Sequence, residues 1–317
     1  MTWLVTGGAG YIGSHIAAAL HQADMDVVVV DDLSTGREQF VPPGVVFARG
    51  TILDREFLED TLERNQVTGV IHVAGFKYAG VSVQRPLHTY EQNVTATLTL
   101  LAAMAAADIR RMVFSSSASV YGTPNVDLVT EDTATAPESP YGETKLIGEW
   151  LLADQGRAHG LAHVSLRYFN VVGSGLPYVF DVSPHNLFPL VFDALLAGTS
   201  PHINGNDYPT PDGTCVRDYV HVSDIAAAHV AAARRLEAGE PLEPAYNLGS
   251  GSGSSVAEIM AAIAEVTGIP FTPHVGPRRA GDPARIVASG ALAARDLDWR
   301  MRHTLSDMVE SAWSARQ

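Results

Sequence analysis

The stretch that most constrains this chain is a glycine loop set between a strand and a helix. Trp3-Leu4-Val5-Thr6 is an apolar, β-prone run, Gly7-Gly8-Ala9-Gly10-Tyr11-Ile12-Gly13 follows it, and Ser14 to Ala23 reads as a helix. Gly7, Gly10 and Gly13 give the spacing G-x-x-G-x-x-G. In that order the three parts make a dinucleotide-binding unit. The glycines permit the tight turn and let the backbone approach a pyrophosphate at a helix N-terminus. Val27 to Val30 is the next buried strand, and it ends in Asp31-Asp32 before Leu33, Ser34, Thr35 and Gly36. An acid at this strand end accepts hydrogen bonds from an adenosine ribose and repels a 2′-phosphate, so two acids favour NAD over NADP. Arg37 argues the other way but follows both carboxylates.

The βα rhythm continues. Val45 to Ala48 is a third strand, and Asp54 is the expected N-cap of a helix through Arg64. Gly69 to Ala74 is a fourth strand, Pro86 to Ala107 one long helix, Met112 to Ser117 a fifth strand and Ala162 to Arg167 a sixth. Alternation of this kind specifies an α/β fold with a doubly wound parallel sheet, whose ligands collect at the C-terminal strand ends. After Asn170 the texture changes: Gly, Pro and Asn become frequent and strands look short. Val216 to Val222 reads as a strand, Asp224 as the cap of a helix to about Glu237, and Ser255 to Thr267 as another helix. The expected division is residues 1–169 as a Rossmann-type NAD-binding domain and 170–317 as a smaller mixed α/β substrate domain. The segment 216–237 is placed to pack back on the first domain.

Ser139-Pro140-Tyr141-Gly142-Glu143-Thr144-Lys145 carries the chemistry. Ser139 is a good N-cap and Pro140 suits the first helical position. Tyr141 and Lys145, four apart, then share one helix face. A tyrosine hydroxyl titrates near pH ~10 in water, too high for a base at neutral pH. A neighbouring ammonium stabilises the phenolate and makes it able to take and return a proton.

Composition removes other classes. The formal net charge of −14 at 317 residues argues against a nucleic-acid surface or an anionic membrane. Cys215 is the single cysteine, which rules out an internal disulfide and a cysteine metal cage. No metal-ligand spacing, signal peptide or transmembrane-length apolar run is present, so no metal is expected and the cytoplasm is the expected compartment. His15 and His72 read as packing residues.

Taken together, the motifs Gly7 to His15, Ala74-Gly75-Phe76-Lys77, Ser115 to Gly122, Tyr141 to Lys145, Arg167-Tyr168-Phe169-Asn170, Gly205 to Pro209 and Val216 to Val222 resemble the extended short-chain dehydrogenase/reductase family. Within it they are similar to the branch that epimerises UDP-hexoses at C4. The resemblance covers nearly the whole chain. It implies a bound NAD that is not consumed and a transient 4-keto sugar linking UDP-galactose to UDP-glucose. Tyr141 would take the 4-hydroxyl proton, Ser117 would bond the sugar oxygen, and Lys145 would bond the nicotinamide ribose. Around NAD the resemblance puts Tyr11, Ile12, the run Asp31 to Gly36, Thr51 and Ile52. Val73, Ala74, Gly75, Lys77, Gln92, Ser115 and Phe169 complete that set. For the UDP-sugar it implies Lys77, Asn170, Asn186, Leu187, His202, Asn204, Arg217, Arg279 and Asp282. It also implies a homodimer paired through the helices at about 95–107 and 141–158, both rich in Ala and Leu on more than one face. Thr51 stands where an Asp is usual, Gln92 where an Asn commonly meets the cofactor, and Arg285 falls near a position that gates the hexose pocket. A dehydratase needs an acid beside the Ser motif, and Ser117-Ala118-Ser119 offers none; a uronate epimerase or decarboxylase is disfavoured for a similar reason. A silent NAD-binding protein would typically have lost Tyr141 or Lys145.

Overall fold

The computed structural model describes residues 1–279 and 282–317. The first half runs β1 (Thr2–Thr6), α1 (Tyr11–Gln22), β2 (Asp26–Asp31), β3 (Val46–Arg49), α2 (Arg55–Arg64), β4 (Val67–His72), α3 (Ala79–Gln84), α4 (Pro86–Tyr90), α5 (Ala96–Ala106), β5 (Arg111–Ser117), α6 (Pro140–His159) and β6 (Ala162–Tyr168). The second half runs β7 (Asn170–Val172), α7 (Leu187–Leu196), β8 (His202–Asn204), β9 (Val216–Arg217), β10 (Tyr219–His221), α8 (Val222–Ala238), β11 (Ala245–Leu248), β12 (Ser254–Ser255), α9 (Val256–Thr267), β13 (His274–Gly276), β14 (Arg285–Ile286), α10 (Ala291–Asp296) and α11 (Leu305–Ser314).

Seven strands in the order β11-β6-β5-β4-β1-β2-β3 form one parallel sheet. The strand order reverses at the β1/β4 boundary, which opens a crevice at the C-terminal strand ends there. Both sheet faces are covered, as the strand sequences require. Val27 and Val29 pack with Ile16 and Leu20 of α1 and Ile225 of α8, whereas Val28 and Val30 pack with Leu58 of α2 and Leu100 of α5. Alternate side chains of one strand therefore feed two separate cores.

Local capping follows the sequence closely. Asp54 accepts from Phe57 N at 3.1 Å and Ser139 Oγ accepts from Gly142 N at 3.2 Å. Four expectations shift. Strand β4 stops at His72 instead of Ala74, because Val73 N and Ala74 N both turn to the Thr6 carbonyl. The helix expected over Pro86 to Ala107 contains a π-helical turn, Glu91–Thr95, between α4 and α5. The strand expected over Val216 to Val222 is two short strands in different sheets, interrupted at Asp218, whose buried carboxylate accepts from Ser250 N and Ala288 N, both at 2.9 Å. Helix α8 starts two residues before Asp224: His221 is its N-cap, Nδ1 accepting from Ser223 N at 3.0 Å. Asp224 instead lies buried in the first turn, accepting from Arg302 N and His303 N.

Three parts of the second half join the first: α8, β11 and the segment around α10, whose Ala293, Leu297 and Trp299 lie in the same core as Ile16 and Ile225. Helix α8 packs on the α1 side of the sheet, and β11 is its outermost strand beside β6. The remainder builds its own core from α7, α9 and α11, with Phe188, Phe192, Ile259 and Trp313 inside. Among the described residues no helix is long and apolar enough to cross a membrane, and no group of acidic, His and Cys side chains is arranged to hold a metal ion.

Candidate active site

The glycine loop lies at the strand-order reversal. Gly7 has φ +69°, and a Cβ there would lie 2.8 Å from the Ala74 backbone at the end of β4. A Cβ on Gly13 would meet the Gly7 carbonyl oxygen at 2.2 Å. The loop, the first turn of α1 and the end of β4 thus touch through backbone alone. The first turn of α1 carries no acid, and its N-cap, Gly10, has no side chain to cap it. Its N–H groups suit an anion. At the end of β2, Asp31 is buried and accepts from Ala9 N at 3.1 Å and Leu33 N at 2.8 Å; burial pushes its carboxyl above the usual range. Each carboxylate oxygen keeps a second lone pair for a ribose hydroxyl. Gly36 backs onto Asp31 with no room for a Cβ, and the exposed Asp32 accepts from Ser34 N. The Arg37 guanidinium lies over the Phe40 and Phe180 rings at 5.5 and 5.4 Å. Thr35 is exposed and Ile52 buried, while the Thr51 hydroxyl accepts from Leu53 N at 3.3 Å within its own turn. An open helix N-terminus, an acid beside it and a loop packed backbone to backbone fit a dinucleotide.

Next to it, β5 and α6 bring Ser115, Ser117, Tyr141 and Lys145 together. Lys145 is buried and its Nζ donates to the Ser115 carbonyl at 2.8 Å. The same Nζ lies 6.0 Å from the Tyr141 ring centroid and 5.0 Å from that of Phe114. Burial pushes the Tyr141 phenol up, opposed by a hydrogen bond with Ser117. Burial pulls Lys145 down to about 8, opposed by Glu149. The expected lowering of the Tyr141 phenol by Lys145 is therefore not seen in the protein alone: the ammonium is committed to a backbone carbonyl, and desolvation of the phenol dominates. The sequence holds two lysines, Lys77 and Lys145.

Lys77 Nζ is 3.9 Å from Asp181 Oδ1, and Asp181 Oδ2 accepts from Asn186 Nδ2 at 2.6 Å. Asp181 links the β4 loop to the start of α7, where Asn186 is the N-cap and Leu187 the first helical residue. Nothing in the sequence singled out Asp181. Asn93 was also missed. Its Oδ1 accepts from Phe76 N at 2.6 Å, and its Nδ2 donates to Phe76 O at 3.0 Å and to Thr144 Oγ1 at 2.9 Å. It clamps the loop from Val73 to Lys77 against α6, and its Oδ1 leaves no room for a Cβ on Gly75. Gln92, the residue expected in this place, makes no such bond to the described residues.

Tyr11 is buried, with its hydroxyl donating to Gly173 O at 2.5 Å, and Ile12 packs beside it. Phe169 packs against Tyr121 and Leu146. Asn170 Nδ2 donates to Asp218 O at 2.9 Å, and Arg217 Nη2 lies 3.6 Å from Asp282 Oδ1. Arg279 is exposed. His202 and Asn204 sit exposed on β8, with the His202 ring against His274. Arg285 is exposed, and its guanidinium donates to the carbonyls of Asp127 and Ser252.

Comparison with known proteins agrees with this geometry. The model of the NAD dependent epimerase/dehydratase family matches residues 3–249. The chain is 43% identical over 318 residues to UDP-glucose 4-epimerase of Corynebacterium glutamicum, covering 99% of this chain and 95% of the relative. It is 43% identical over 315 residues to that of Streptomyces lividans, covering 98% and 94%. Among solved structures, UDP-glucose 4-epimerase from Brucella ovis in complex with NAD superposes with a TM-score of 0.95 at 39% identity, over 98% of this chain and 97% of that one. The Bifidobacterium longum enzyme in complex with NAD+ and UDP gives 0.90 at 36%, over 100% and 98%. The fold, the cofactor crevice and these matches make the chain a member of the NAD dependent epimerase/dehydratase family.

Proposed function

We propose that this chain interconverts UDP-galactose and UDP-glucose by inverting C4 of the hexose, with NAD held throughout. The observation that carries the reading is the meeting of Tyr141, Lys145 and the Ser115–Ser117 strand end beside the glycine loop, with no acid at Ala118 or Ser119. Bound NAD supplies a hydride acceptor at the first half-reaction and a donor at the second. The N–H groups around Gly7 to Gly13 bind its pyrophosphate, Asp31 its adenosine ribose and Lys145 its nicotinamide ribose. Tyr141 removes the 4-hydroxyl proton and later returns it, and Ser117 holds the reacting oxygen. Buried Lys145, protonated at neutral pH, stabilises the phenolate that accepts this proton. Asn186, Arg217, Arg279 and Asp282 anchor the UDP, so that the 4-keto sugar can turn over while its nucleotide stays fixed. A tight anchor at one end and few contacts at the other suit a reaction that must present both sugar faces.

The test is incubation of pure protein with UDP-galactose, UDP-glucose and their N-acetyl forms without added NAD, followed by product analysis. Conversion of at least one pair is expected; none, from folded protein carrying NAD, would overturn the reading. The proposed working form is a homodimer. Leu98 of α5 is 48% exposed and Trp150 of α6 58%, on helices that lie side by side on one flank of the sheet. Large apolar side chains left open on adjacent helices suit burial against a second copy. The proposed compartment is the cytoplasm, where a protein with one cysteine needs no disulfide.

A further inference from the structure

Two turns along α6 from Tyr141, and one from Lys145, stands Glu149, so three functional groups share one helix stripe at spacings of four. The Glu149 side chain is only 10% exposed. A carboxylate so buried must be paired and hydrogen-bonded. Arg167 of β6 grips it with Nε to Oε1 at 2.9 Å and Nη2 to Oε2 at 2.5 Å, and Ser116 Oγ donates to Oε1 at 2.5 Å. Arg167 in turn donates from Nη1 to Tyr121 OH at 2.8 Å, and Tyr121 donates to Asn247 of β11 at 2.8 Å. The pair is therefore satisfied on every side and fixed to three strands.

A purely structural ion pair would not need its position. Three consecutive residues of β5 divide the work. The carbonyl of Ser115 accepts from the Lys145 ammonium, the hydroxyl of Ser116 donates to Glu149, and the hydroxyl of Ser117 meets Tyr141. Glu149 thus ties α6 to β5 between the two contacts on which the proposed proton transfer depends. We infer that Glu149 is a positioning residue: it holds Lys145 in its ammonium form and in register with Tyr141 and Ser117. The inference rests on the reading of Tyr141 and Lys145 given above.

The surroundings of Lys145 support it. On its own helix stand Tyr141 and Glu149. Strand β4 presents His72, kept neutral by burial and by Lys145 itself at about 3. Strand β5 presents the Phe114 ring, and β6 presents Arg167, occupied by Glu149, and the buried phenol Tyr168. Behind Ser115, His229 of α8 is also neutral, pulled to about 4 by burial, with Nε2 3.0 Å from Ser115 Oγ. Burial works to discharge Lys145, and Glu149 is the group that opposes it.

Because Lys77 and Lys145 are the only lysines, protein grown with lysine labelled at 13Cε shows two resonances whose shifts report ionisation directly. Lys77, exposed, is the internal reference. In the purified holoenzyme, Glu149→Gln should lower the Lys145 midpoint by about 0.5–1 unit, and Glu149→Asp should leave it near the wild-type value. At pH 8 the smaller ammonium fraction should cut turnover about two- to fivefold, with recovery towards pH 6.5, which mere loosening of the fold would not produce. Glu149→Gln leaves Arg167 buried beside a neutral amide and risks unfolding. If it does not fold, Glu149→Gln with Arg167→Met removes both charges and carries the same measurement with the same expected sign. An unmoved Lys145 midpoint in a folded variant overturns the inference. Lys145→Met decides the underlying reading separately: unimpaired turnover there would refute the role of Lys145 in the reaction, whatever Glu149 does to its charge.

Discussion

Gly13→Ala tests the cofactor crevice most directly. The new Cβ would sit 2.2 Å from the Gly7 carbonyl oxygen and 2.8 Å from Gly7 C and Gly8 Cα. All three are backbone atoms, so no side chain can swing aside. Restoring van der Waals contact takes roughly 1 Å of movement of α1 away from the loop. The stability cost of such overpacking is about 1–3 kcal/mol. The effect on NAD is larger, because a hydrogen bond of ~2.9 Å stretched by ~1 Å is no longer one. Hydrogen bonds to charged groups are worth about 1.5–3 kcal/mol each, so losing two weakens binding by roughly 10²–10⁴-fold. Acid extraction and enzymatic assay of the purified variant should find little NAD, and calorimetry should find a lowered Tm. Gly80→Ala is the control, since a Cβ there meets nothing within 4 Å. A Gly13→Ala protein with one NAD per chain and the parental Tm would refute the reasoning.

Tyr141→Phe removes the proposed base and should reduce turnover by about 10²–10⁴-fold while NAD content and UDP affinity hold; near-normal epimerisation by the folded, NAD-loaded variant would end the mechanism. Asn93→Ala leaves both backbone polar groups of Phe76 without this partner, while Thr144 Oγ1 keeps its bond to Tyr141 O, and should cost about 1–3 kcal/mol in a urea melt, with weaker NAD retention. Extracted nucleotide should be NAD(H), and a predominance of NADP would refute the assignment to Asp31 and Asp32. Light scattering at micromolar protein should give a dimer mass, and a monomer mass would remove the pairing through α5 and α6. Four buried histidines sit below their ordinary value, His15, His221 and His229 at about 4 and His72 at about 3. Their folded pKa values lie below the unfolded ~6.5, so their contribution is complete above that pH and drains away as pH falls towards 4. Urea melts should lose a few kcal/mol between pH 7 and 5, with net proton uptake on unfolding at pH 5; equal stability at both would refute the neutral assignment.

The glycine loop, Asp31, Tyr141 and Lys145 were legible because each is a local pattern: a turn, a strand end, one helix face. Ser139 and Asp54 declared their helices for the same reason. What escaped notice depends on chain distant in sequence. Strand β11 is four residues, Ala-Tyr-Asn-Leu, too short to show a period, and only its place beside β6 makes it part of the sheet. Asn93 reaches Phe76 from a π-helical turn, and that extra residue per turn cannot be read from spacing. Asp181 and Glu149 matter through Lys77 and Arg167, partners that no window along the sequence contains. The helix cap given to Asp224 went wrong because the neighbouring His221 can also accept a backbone hydrogen bond, through Nδ1.

The strand β11 and the helix α8 have a bearing on recombination between relatives. Anyone grafting another enzyme's sugar-binding half onto this one, to alter which hexose it prefers, would meet an obvious seam near residue 169. A crossover there would import a foreign α8 against this chain's α1 and a foreign β11 against this chain's β6. The native junctions are intimate: Trp3 Nε1 donates to Glu237 Oε1 at 2.8 Å, and Tyr121 donates to Asn247. A chimaera that keeps residues 219–248 from the parent, and exchanges only the α7 stretch before them and the α9 stretch after, leaves those surfaces with the partners they were selected against. The unit of inheritance in this fold is interleaved, and a graft has to be cut in at least three places to respect it.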